Sequence, residues 1–197
     1  NQVLREKNMT VTYHHDLDQG SEAWLAARLG ILTASQVKLI LTPTLKVANN
    51  DKTRAHVFDI AAQRITQYLE PQFIGDDMLR GMEDETYARD KYAEKCAPVT
   101  ECGFITSDKF GFTFGYSPDG LVGDDGLIEV KSRSPKEQVK VVLDGEIPAE
   151  HLAQLHCGLL VSGRAWVDYV SYCGGLPMWV KRVHTDQEWR DALLTAA

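Results

Sequence analysis

Two carboxylates and one ammonium group lie within a short stretch of the chain. Asp119 follows a Ser-Pro pair, and Glu129 and Lys131 stand two residues apart in the apolar run 127–131. Residues two apart on a β-strand project to the same face, so Glu129 and Lys131 should point together. Carboxylate oxygens are ligands that Mg²⁺ prefers, and a neighbouring ammonium can orient or polarise a water molecule. The stretch therefore predicts magnesium-dependent attack on a phosphodiester.

The surrounding residues predict a β-hairpin that positions these groups. Asp124-Asp125-Gly126 is typical of a tight turn, and Pro118 fixes the backbone just before Asp119. On the second strand, Ile128 and Val130 should pack behind Glu129 and Lys131. An isolated Glu-x-Lys on a strand would more often be a solvated ion pair of little energetic consequence. The Pro-Asp, the hairpin bounded by glycine and the apolar flanks together match the pattern of PD-(D/E)xK nucleases.

Several segments resemble one family within that superfamily, the bacteriophage lambda exonuclease family, also called YqaJ-like viral recombinases. The resemblance rests on Ser-Pro-Asp-Gly-Leu at 117–121, on the tryptophan, arginine and Gly-x-x-Thr-Ala-Ser turn within 23–35, on Gly-Met-Glu-Asp-Glu at 81–85 and on Ala-Gln-Leu-His at 153–156. These segments occur in the family's order from about Trp24 to Val161. The resemblance implies a restriction-endonuclease-like α/β core, with a central mixed β-sheet flanked by helices.

The family resemblance implies a 5′→3′ exonuclease that acts at 5′-phosphorylated ends of double-stranded DNA. It would release mononucleotides and leave a 3′ single strand for recombination. Two Mg²⁺ ions, for which Mn²⁺ can substitute, would lie between Asp119, Glu129 and the backbone carbonyl of Val130, with Glu85 helping on one side. Lys131 would complete the catalytic group. On spacing alone, Glu85 is one of many acids on a predicted helix and would be a surface residue.

The resemblance also implies substrate-binding roles for six residues, each of which has an ordinary structural alternative. Arg28, with Ser35 and Ser117, would hold the 5′-phosphate, since guanidinium binds phosphate through a planar two-pronged contact. Arg28 could otherwise lie along its own helix, and Ser35 could cap one. Gln154 would point at the substrate, or it could be a structural amide. His156 would also contact the substrate, although the family favours glutamine at this position. Met78 would be an apolar wedge where the strands separate, or it could be a plain core residue.

Partners and location are also implied by the resemblance. Family members form homotrimeric rings around duplex DNA, and a single-strand annealing protein would take up the 3′ overhang. A phage or prophage origin would place the protein in the cytoplasm of a bacterial host. The sequence agrees, because it has no apolar run of the roughly 20 residues needed to cross a bilayer and no secretory signal at its N-terminus. No membrane association is expected.

Length and composition favour one enzyme domain spanning 1–197. The chain of 197 residues is 44% hydrophobic and 25% charged, ordinary values for a globular protein. Its four cysteines are too far apart for a Cys-x-x-Cys zinc or redox pair. The net charge of −7 is unusual for a nucleic-acid enzyme. An uneven distribution resolves this, because bound cations reverse the local field of the acids. Positive charge should then lie on the substrate side, at Arg28, Lys131, Arg133 and Lys136.

Hydrophobic periodicity and capping residues predict the elements that carry these groups. The predicted helices are 22–29 with Ser21 as its cap, 34–41, 54–68 with an apolar stripe, 78–97, 149–161 and a terminal helix capped by Asp186. The predicted strands are 102–107, 110–116, 127–131 and the pair 166–172 and 179–184.

Two other functions fit the same residues. A sequence-specific or repair endonuclease on the same core would cut circular DNA, but no specificity domain is visible in the sequence. A non-catalytic DNA-end-binding module would bind 5′-phosphorylated ends without turnover. The intact Asp119, Glu129 and Lys131 argue against that module.

Overall fold

A computed structural model describes residues 10–70 and 75–197, apart from the side chains of residues 76–78. The elements in chain order are β1 (Val11–His14), α1 (Glu22–Arg28), β2 (Leu32–Thr33), a 3₁₀-helix (Ala34–Leu39), α2 (Asp51–Thr66), α3 (Asp76–Lys95), β3 (Phe104–Ser107), β4 (Phe114–Tyr116), β5 (Gly120–Val122), β6 (Gly126–Ser132), α4 (Pro135–Asp144), α5 (Ala149–Ser162), β7 (Trp166–Tyr172), β8 (Trp179–His184) and α6 (Gln187–Ala196). Within the described residues, no helix is long and apolar enough to cross a membrane.

The described strands form two four-stranded sheets. The first has the order β1-β3-β4-β2, in which only β2 and β4 are parallel. The second has the order β5-β6-β7-β8, in which only β6 and β7 are parallel. The chain passes from the first sheet to the second through 117–119, between β4 and β5. The predicted mixed α/β class is confirmed, but its strands are divided between two sheets instead of one central sheet.

The predicted hairpin is present as β5 and β6. The two strands are antiparallel, and Val122 pairs with Gly126 across the turn. Behind the hairpin, Ile128 and Val130 belong to a small apolar core with residues of α3 and β7, namely Ala88, Tyr92 and Val170. The chemistry-bearing side chains of β6 therefore have a rigid apolar support on the opposite face of the strand.

Helix α5 is the central helix of the fold. Nearly every residue from Ala153 to Ser162 is buried, as expected of a helix that is apolar on all sides. It packs against the 3₁₀-helix, against β3, β4 and β7, and against α6. Gly158 permits the closest of these contacts, because a Cβ atom there would lie 2.8 Å from the ring of Tyr116. The helix can thus approach β4 closely enough to share in the site below.

Several elements differ from the sequence-based expectation. Strands β1 and β2 were not predicted, and β4 begins at Phe114 instead of residue 110. Helix α4 was not predicted, although Ser134 and Glu137 form a capping box around a proline at its first turn. Helix α2 is present, but its predicted apolar stripe is largely exposed: the exposed fraction is 70% for Phe58 and 82% for Ile65. His56 is instead the buried residue of that helix. Periodicity identified the helix, but it could not show which face the rest of the chain covers.

An ion pair between a buried carboxylate and a half-exposed arginine lies where α3 contacts the second sheet. Asp168 on β7 is 4% exposed and accepts hydrogen bonds from the Tyr92 hydroxyl (2.6 Å) and from two nitrogens of Arg182 on β8 (2.8 Å each). The Arg182 guanidinium also lies 3.4 Å from the ring centroid of Trp166. Because β7 is the parallel neighbour of β6, this pair stabilises the strand next to the β5–β6 hairpin.

Asp168→Ala should lower the free energy of unfolding by about 2 kcal/mol, because it leaves the buried Tyr92 hydroxyl without its partner, whereas the half-exposed Arg182 can be rehydrated. Urea denaturation monitored by circular dichroism would measure the change. Asp144→Ala is the matched control, since that exposed carboxylate pairs only with Lys140 and its loss should cost at most about 0.5 kcal/mol. Equal changes in the free energy of unfolding for the two substitutions would show that the Asp168–Arg182 pair stabilises the protein no more than an exposed ion pair does.

Candidate active site

Glu129 lies at the centre of a buried hydrogen-bond network. It is 2% exposed, and its Oε1 accepts hydrogen bonds from Lys131 Nζ (2.7 Å) and from Gln154 Nε2 (2.5 Å). Its Oε2 accepts one from the buried hydroxyl of Tyr116 (2.8 Å). Lys131 Nζ also donates to Gln154 Oε1 (3.1 Å). Strand alternation thus brings Glu129 and Lys131 together as predicted, and α5 adds Gln154 to them.

Asp119 is joined to the same centre through the backbone of β6. Its Oδ2 accepts a hydrogen bond from the Val130 amide at 2.6 Å. This contact lies just beyond Gly120 and Ile128, the last pair of the β5–β6 ladder. The amide and carbonyl of one strand residue point to the same side, so the Val130 carbonyl faces the edge where Asp119 lies. Two carboxylates and a backbone carbonyl therefore surround one edge of β6.

Burial and like charge shape the ionisation of this centre. Burial raises the pKa of Asp119 well above its usual value, and repulsion from Glu129 and Glu85 raises it further. Burial alone would lower the pKa of Lys131, but attraction to Glu129 and Asp119 outweighs it, and the pKa is raised. Lys131 is therefore an ammonium at neutral pH. The acids outnumber this single ammonium, so the centre favours an added cation.

Glu85 lies beside these groups but is held by an arginine. Arg89 Nη1 lies 3.5 Å from Glu85 Oε1 and donates to the Asp119 carbonyl at 3.1 Å, while Nη2 lies 3.6 Å from Glu101. Burial raises the pKa of Glu85, Arg89 lowers it, and repulsion from Glu129 raises it again. Sequence reasoning missed Arg89, although its spacing of four residues from Glu85 on a helix was a usable signal.

These oxygens form a donor set that suits a hard divalent cation. Across the part of the chain that is described, no cluster of three or more His, Cys, Asp or Glu side chains is arranged to hold a metal ion. The candidate ligands are instead Asp119, Glu129 and the Val130 carbonyl, with Glu85 close enough to raise the pKa of Asp119. Oxygen-only ligands with excess negative charge match what Mg²⁺ and Mn²⁺ prefer.

A second cluster surrounds the Arg28 guanidinium. Its Nη1 donates to Ser117 Oγ at 2.9 Å, and its Cζ lies 4.1 Å from the ring centroid of Trp24. The Trp24 indole donates to the same Ser117 oxygen (3.1 Å) and to the Gly103 carbonyl (3.0 Å). Trp24 was part of the recognised motif, but its role in holding Arg28 was missed, even though the two residues have helical i,i+4 spacing.

Ser35 joins this cluster through Thr33. The Thr33 hydroxyl lies 3.5 Å from Arg28 Nη2 and 3.4 Å from Ser35 Oγ. Thr33 rather than Ser35 occupies the cap position of the 3₁₀-helix, so the exposed Ser35 hydroxyl faces solvent near Arg28. Gly30 enables this turn, because it adopts φ +67° and its amide donates to Gln63 of α2.

Arg28 is a partly buried cation without an acidic partner. Burial lowers its pKa to about 10, so it remains charged at neutral pH. Among the described residues, no carboxylate pairs with it. A cleft of about 1,090 Å³ is lined by Arg28, Trp24 and Thr33 together with Glu85 and Arg89. The cleft thus places the Arg28 guanidinium on the same wall system as Glu85 and Arg89, which lie beside the acidic centre, and an unpaired guanidinium there suits an anion.

One predicted substrate residue, His156, is not brought to the acidic centre. The imidazole of His156 stacks on Trp189 at 4.6 Å between centroids and is 8% exposed, and burial lowers its pKa to about 4. Two helical positions separate it from Gln154, a rotation of about 200°, so it points away from Lys131. The structure therefore does not bring His156 to the acidic centre, and a contact between His156 and substrate stays a prediction. The side chain of Met78 lies outside the described residues, and its role as a wedge remains a prediction.

Residues 23–165 match the model of the YqaJ-like viral recombinase domain. The chain belongs to this family. The family assignment from sequence is thereby confirmed, and the matched region contains both clusters described above. Among curated protein sequences, no match was found.

Solved structures of two exonucleases resemble this recombinase-family chain. An alkaline exonuclease from Laribacter hongkongensis (LHK-Exo) is 33% identical, and the match covers 89% of this chain and 88% of that chain, with a TM-score of 0.78. Its complex with dAMP gives a TM-score of 0.79. A phage-related exonuclease from Haemophilus somnus is 14% identical over 84% of this chain and 91% of that chain, with a TM-score of 0.57, and shows the shared fold alone.

A divalent cation should stabilise the folded protein. Burial makes the pKa of Asp119 higher in the folded protein than in the unfolded chain, where it is about 3.9. Without a cation, the protein therefore loses stability as the pH rises from the unfolded-state pKa through the folded-state pKa. Ca²⁺ at about 100 times its Kd should add about 2.7 kcal/mol, or roughly 5–10 °C in Tm. Because cations bind deprotonated carboxylates, the gain should be larger at pH 8 than at pH 5.

Differential scanning fluorimetry with and without Ca²⁺ would measure this shift. Asp119→Asn should reduce it strongly, whereas Asp144→Asn, which changes an exposed acid on α4, should leave it intact. A shift of the same size in all three proteins would show that the cation binds elsewhere.

Proposed function

We propose that the protein is a Mg²⁺-dependent 5′→3′ exonuclease that acts at 5′-phosphorylated ends of double-stranded DNA. It releases mononucleotides and leaves a 3′ single strand for recombination. The observation that carries this proposal is the unpaired Arg28 guanidinium, which contacts Ser117, two residues before Asp119, and lines the same cleft as Glu85 and Arg89. The family supports a DNA exonuclease, and the complex of LHK-Exo with dAMP supports a deoxynucleoside monophosphate as product.

In this proposal Asp119, Glu129 and the Val130 carbonyl hold two Mg²⁺ ions, with Glu85 on one side and Mn²⁺ as a substitute. When bound, the ions lower the pKa of water and neutralise charge on the phosphate and the leaving 3′-oxygen. Arg89 keeps the Asp119 backbone and Glu85 at a fixed separation, since one guanidinium contacts both. The protein itself thus supplies a preorganised set of oxygens.

Lys131 orients the attacking water and remains protonated. Its raised pKa favours an ammonium that donates hydrogen bonds over an amine that removes a proton. Gln154 fixes the ammonium, because it donates to Glu129 and accepts from Lys131 at the same time. The Tyr116 hydroxyl holds the other oxygen of Glu129, so neither carboxylate oxygen can rotate away.

Arg28 determines where the strand is cut. The Trp24 ring and the Ser117 hydroxyl hold its guanidinium, which is then free to form a two-pronged contact with a terminal phosphate. Ser35 and Ser117 add hydroxyl donors to the same phosphate. Because Ser117 is two residues from Asp119, an anchored 5′-phosphate sets a short, constant distance to the bond that is hydrolysed. Removal of one nucleotide per cycle follows from that distance.

We further propose a homotrimeric ring that encloses the duplex and hands the 3′ strand to a single-strand annealing protein. The exposed apolar side chains of α2, including Phe58 and Ile65, support an assembly, because monomers seldom expose such groups together. A recombination role of phage type would place this activity in the cytoplasm of a bacterial host.

Asp119→Ala and Lys131→Ala should each abolish cleavage of linear 5′-phosphorylated duplex in Mg²⁺, with a loss of at least about 10³-fold for Lys131→Ala. The physical reason is loss of a cation ligand in the first and of water orientation in the second. Release of labelled mononucleotides measures activity, and circular dichroism checks that both variants fold. Wild-type rates in either variant would contradict the proposal.

The same assay separates the other two functions when circular DNA and each labelled end are included. Cleavage of circular duplex would favour an endonuclease on this core. Binding of 5′-phosphorylated ends by wild-type protein without any turnover would favour an end-binding module. Label released first from the 3′ end would reverse the proposed polarity.

Arg28→Ala should remove the preference for 5′-phosphorylated over 5′-hydroxyl ends. Hydrogen bonds to a charged group contribute about 1.5–3 kcal/mol, so the ratio of kcat/KM for the two ends should fall by about 10- to 150-fold. Arg28→Lys is the matched control. It keeps the positive charge but cannot form the planar two-pronged contact, so it should retain part of the preference for 5′-phosphorylated ends. A ratio that is unchanged in Arg28→Ala would reject the pocket.

A further inference from the structure

Arg133 continues the polar face of β6 beyond the catalytic residues. Alternation along the strand places Glu129, Lys131 and Arg133 on one side. Although β6 ends at Ser132, the Arg133 amide donates to the Tyr172 carbonyl at 2.8 Å and so extends the ladder with β7. The backbone of Arg133 is therefore as firmly positioned as that of the catalytic strand.

Two neutral side chains hold the Arg133 guanidinium. Its Nη2 lies 3.0 Å from His151 Nε2 and donates to the Tyr169 hydroxyl at 3.0 Å. The His151 ring stacks on the Tyr169 ring, with centroids 5.6 Å apart. Burial lowers the pKa of His151 to about 3, helped by repulsion from Lys131 and Arg133, so the imidazole is neutral and accepts the hydrogen bond. These contacts orient the guanidinium without neutralising it.

The positive charge of Arg133 has no direct counter-ion in the described part of the chain. Its Nε is buried and has no hydrogen-bond partner. The acids nearby have other direct partners. Hydrogen bonds from Ser134 lower the pKa of Glu137, and attraction to Arg133 adds a smaller effect without a direct contact. Glu150 lies 3.8 Å from His151. An arginine that is held in place next to the candidate active site, and that has no carboxylate partner, can bind an anion from outside the protein.

Arg133 and Arg28 lie on opposite sides of the catalytic strand. The order β5-β6-β7 places Lys131 on the middle strand. Arg28 contacts Ser117, which leads into β5, whereas Arg133 contacts Tyr169 of β7. A nucleic-acid strand held at its terminus by Arg28 and cut beside Lys131 would reach Arg133 on its far side.

We propose that Arg133 binds a backbone phosphate of the DNA substrate on the β7 side of the active site, with His151 and Tyr169 as the residues that position its guanidinium. The inference rests on the proposed function, since it assumes a DNA substrate at this centre. It assigns Arg133 to affinity and register, and leaves hydrolysis itself to the residues around Glu129.

The salt dependence of DNA binding distinguishes this role from a structural one. Each phosphate contact contributes about 0.9 to the slope of log Kobs against log salt concentration. Binding of 5′-phosphorylated linear duplex in Ca²⁺ would be measured by fluorescence anisotropy at several KCl concentrations. Arg133→Gln should reduce the slope by about 1 and raise KM about tenfold with little change in kcat.

Matched variants complete this test. Arg190→Gln removes a positive charge from α6, which packs on the α5 face that points away from Lys131, and should leave the slope unchanged. Arg133→Lys keeps the charge but not the planar two-pronged contact, so it should restore part of the slope. A wild-type slope in Arg133→Gln would overturn the inference. If the wild-type protein does not degrade linear duplex from its ends, the proposed function fails instead.

A second measurement does not depend on the folding of Arg133→Gln. A single methylphosphonate, which is uncharged, is placed at successive linkages near the DNA end. With the wild-type protein, a methylphosphonate at one particular linkage beyond the scissile bond should weaken binding about tenfold. With Arg133→Lys, the methylphosphonate at that linkage should weaken binding less, and its effect at the other linkages should be unchanged. Equal sensitivity of the two proteins at every linkage would contradict the assignment.

Discussion

The charge of Glu129 is the constraint on which the rest of the site depends. A carboxylate that is 2% exposed loses several kcal/mol of hydration, and only well-placed partners offset that loss. The partners come from three places: Lys131 from the same strand, Gln154 from α5 and Tyr116 from β4. The hairpin, the central helix and the first sheet must therefore meet at one point, and the close approach of α5 at Gly158 makes this possible.

The two arginine clusters next to this site show a related arrangement, because neighbouring side chains also hold each charged group in place. Arg28 and Arg133 are each fixed by aromatic or neutral polar groups and not by a carboxylate. An acidic protein can thus present positive charge where it is needed while its net charge stays at −7. Arg182 shows the contrast, because its charge is paired with the Asp168 carboxylate through two hydrogen bonds.

The sequence predicted the parts of the site that depend on local rules. Period-two alternation placed Glu129 beside Lys131, and the caps Ser21 and Asp186 accept the expected amide hydrogen bonds. The failures concern tertiary contacts. Nothing local shows that α5 turns Gln154 toward Lys131 and His156 toward Trp189. The burial of His56 and the exposure of the apolar face of α2 likewise depend on which neighbours the helix meets.

The parallel pairing of β6 with β7 has a consequence for the growing chain. Parallel strands need a long crossover, which here consists of α4 and α5, and such non-local contacts form late. Until Tyr172 has left the ribosome, β6 has no parallel neighbour, and Glu129 lacks the buried setting that α5 and β7 complete. A nascent chain that ends before β7 therefore carries every candidate acidic ligand yet has no assembled centre, and the capacity to hydrolyse DNA is withheld until β7 has been synthesised.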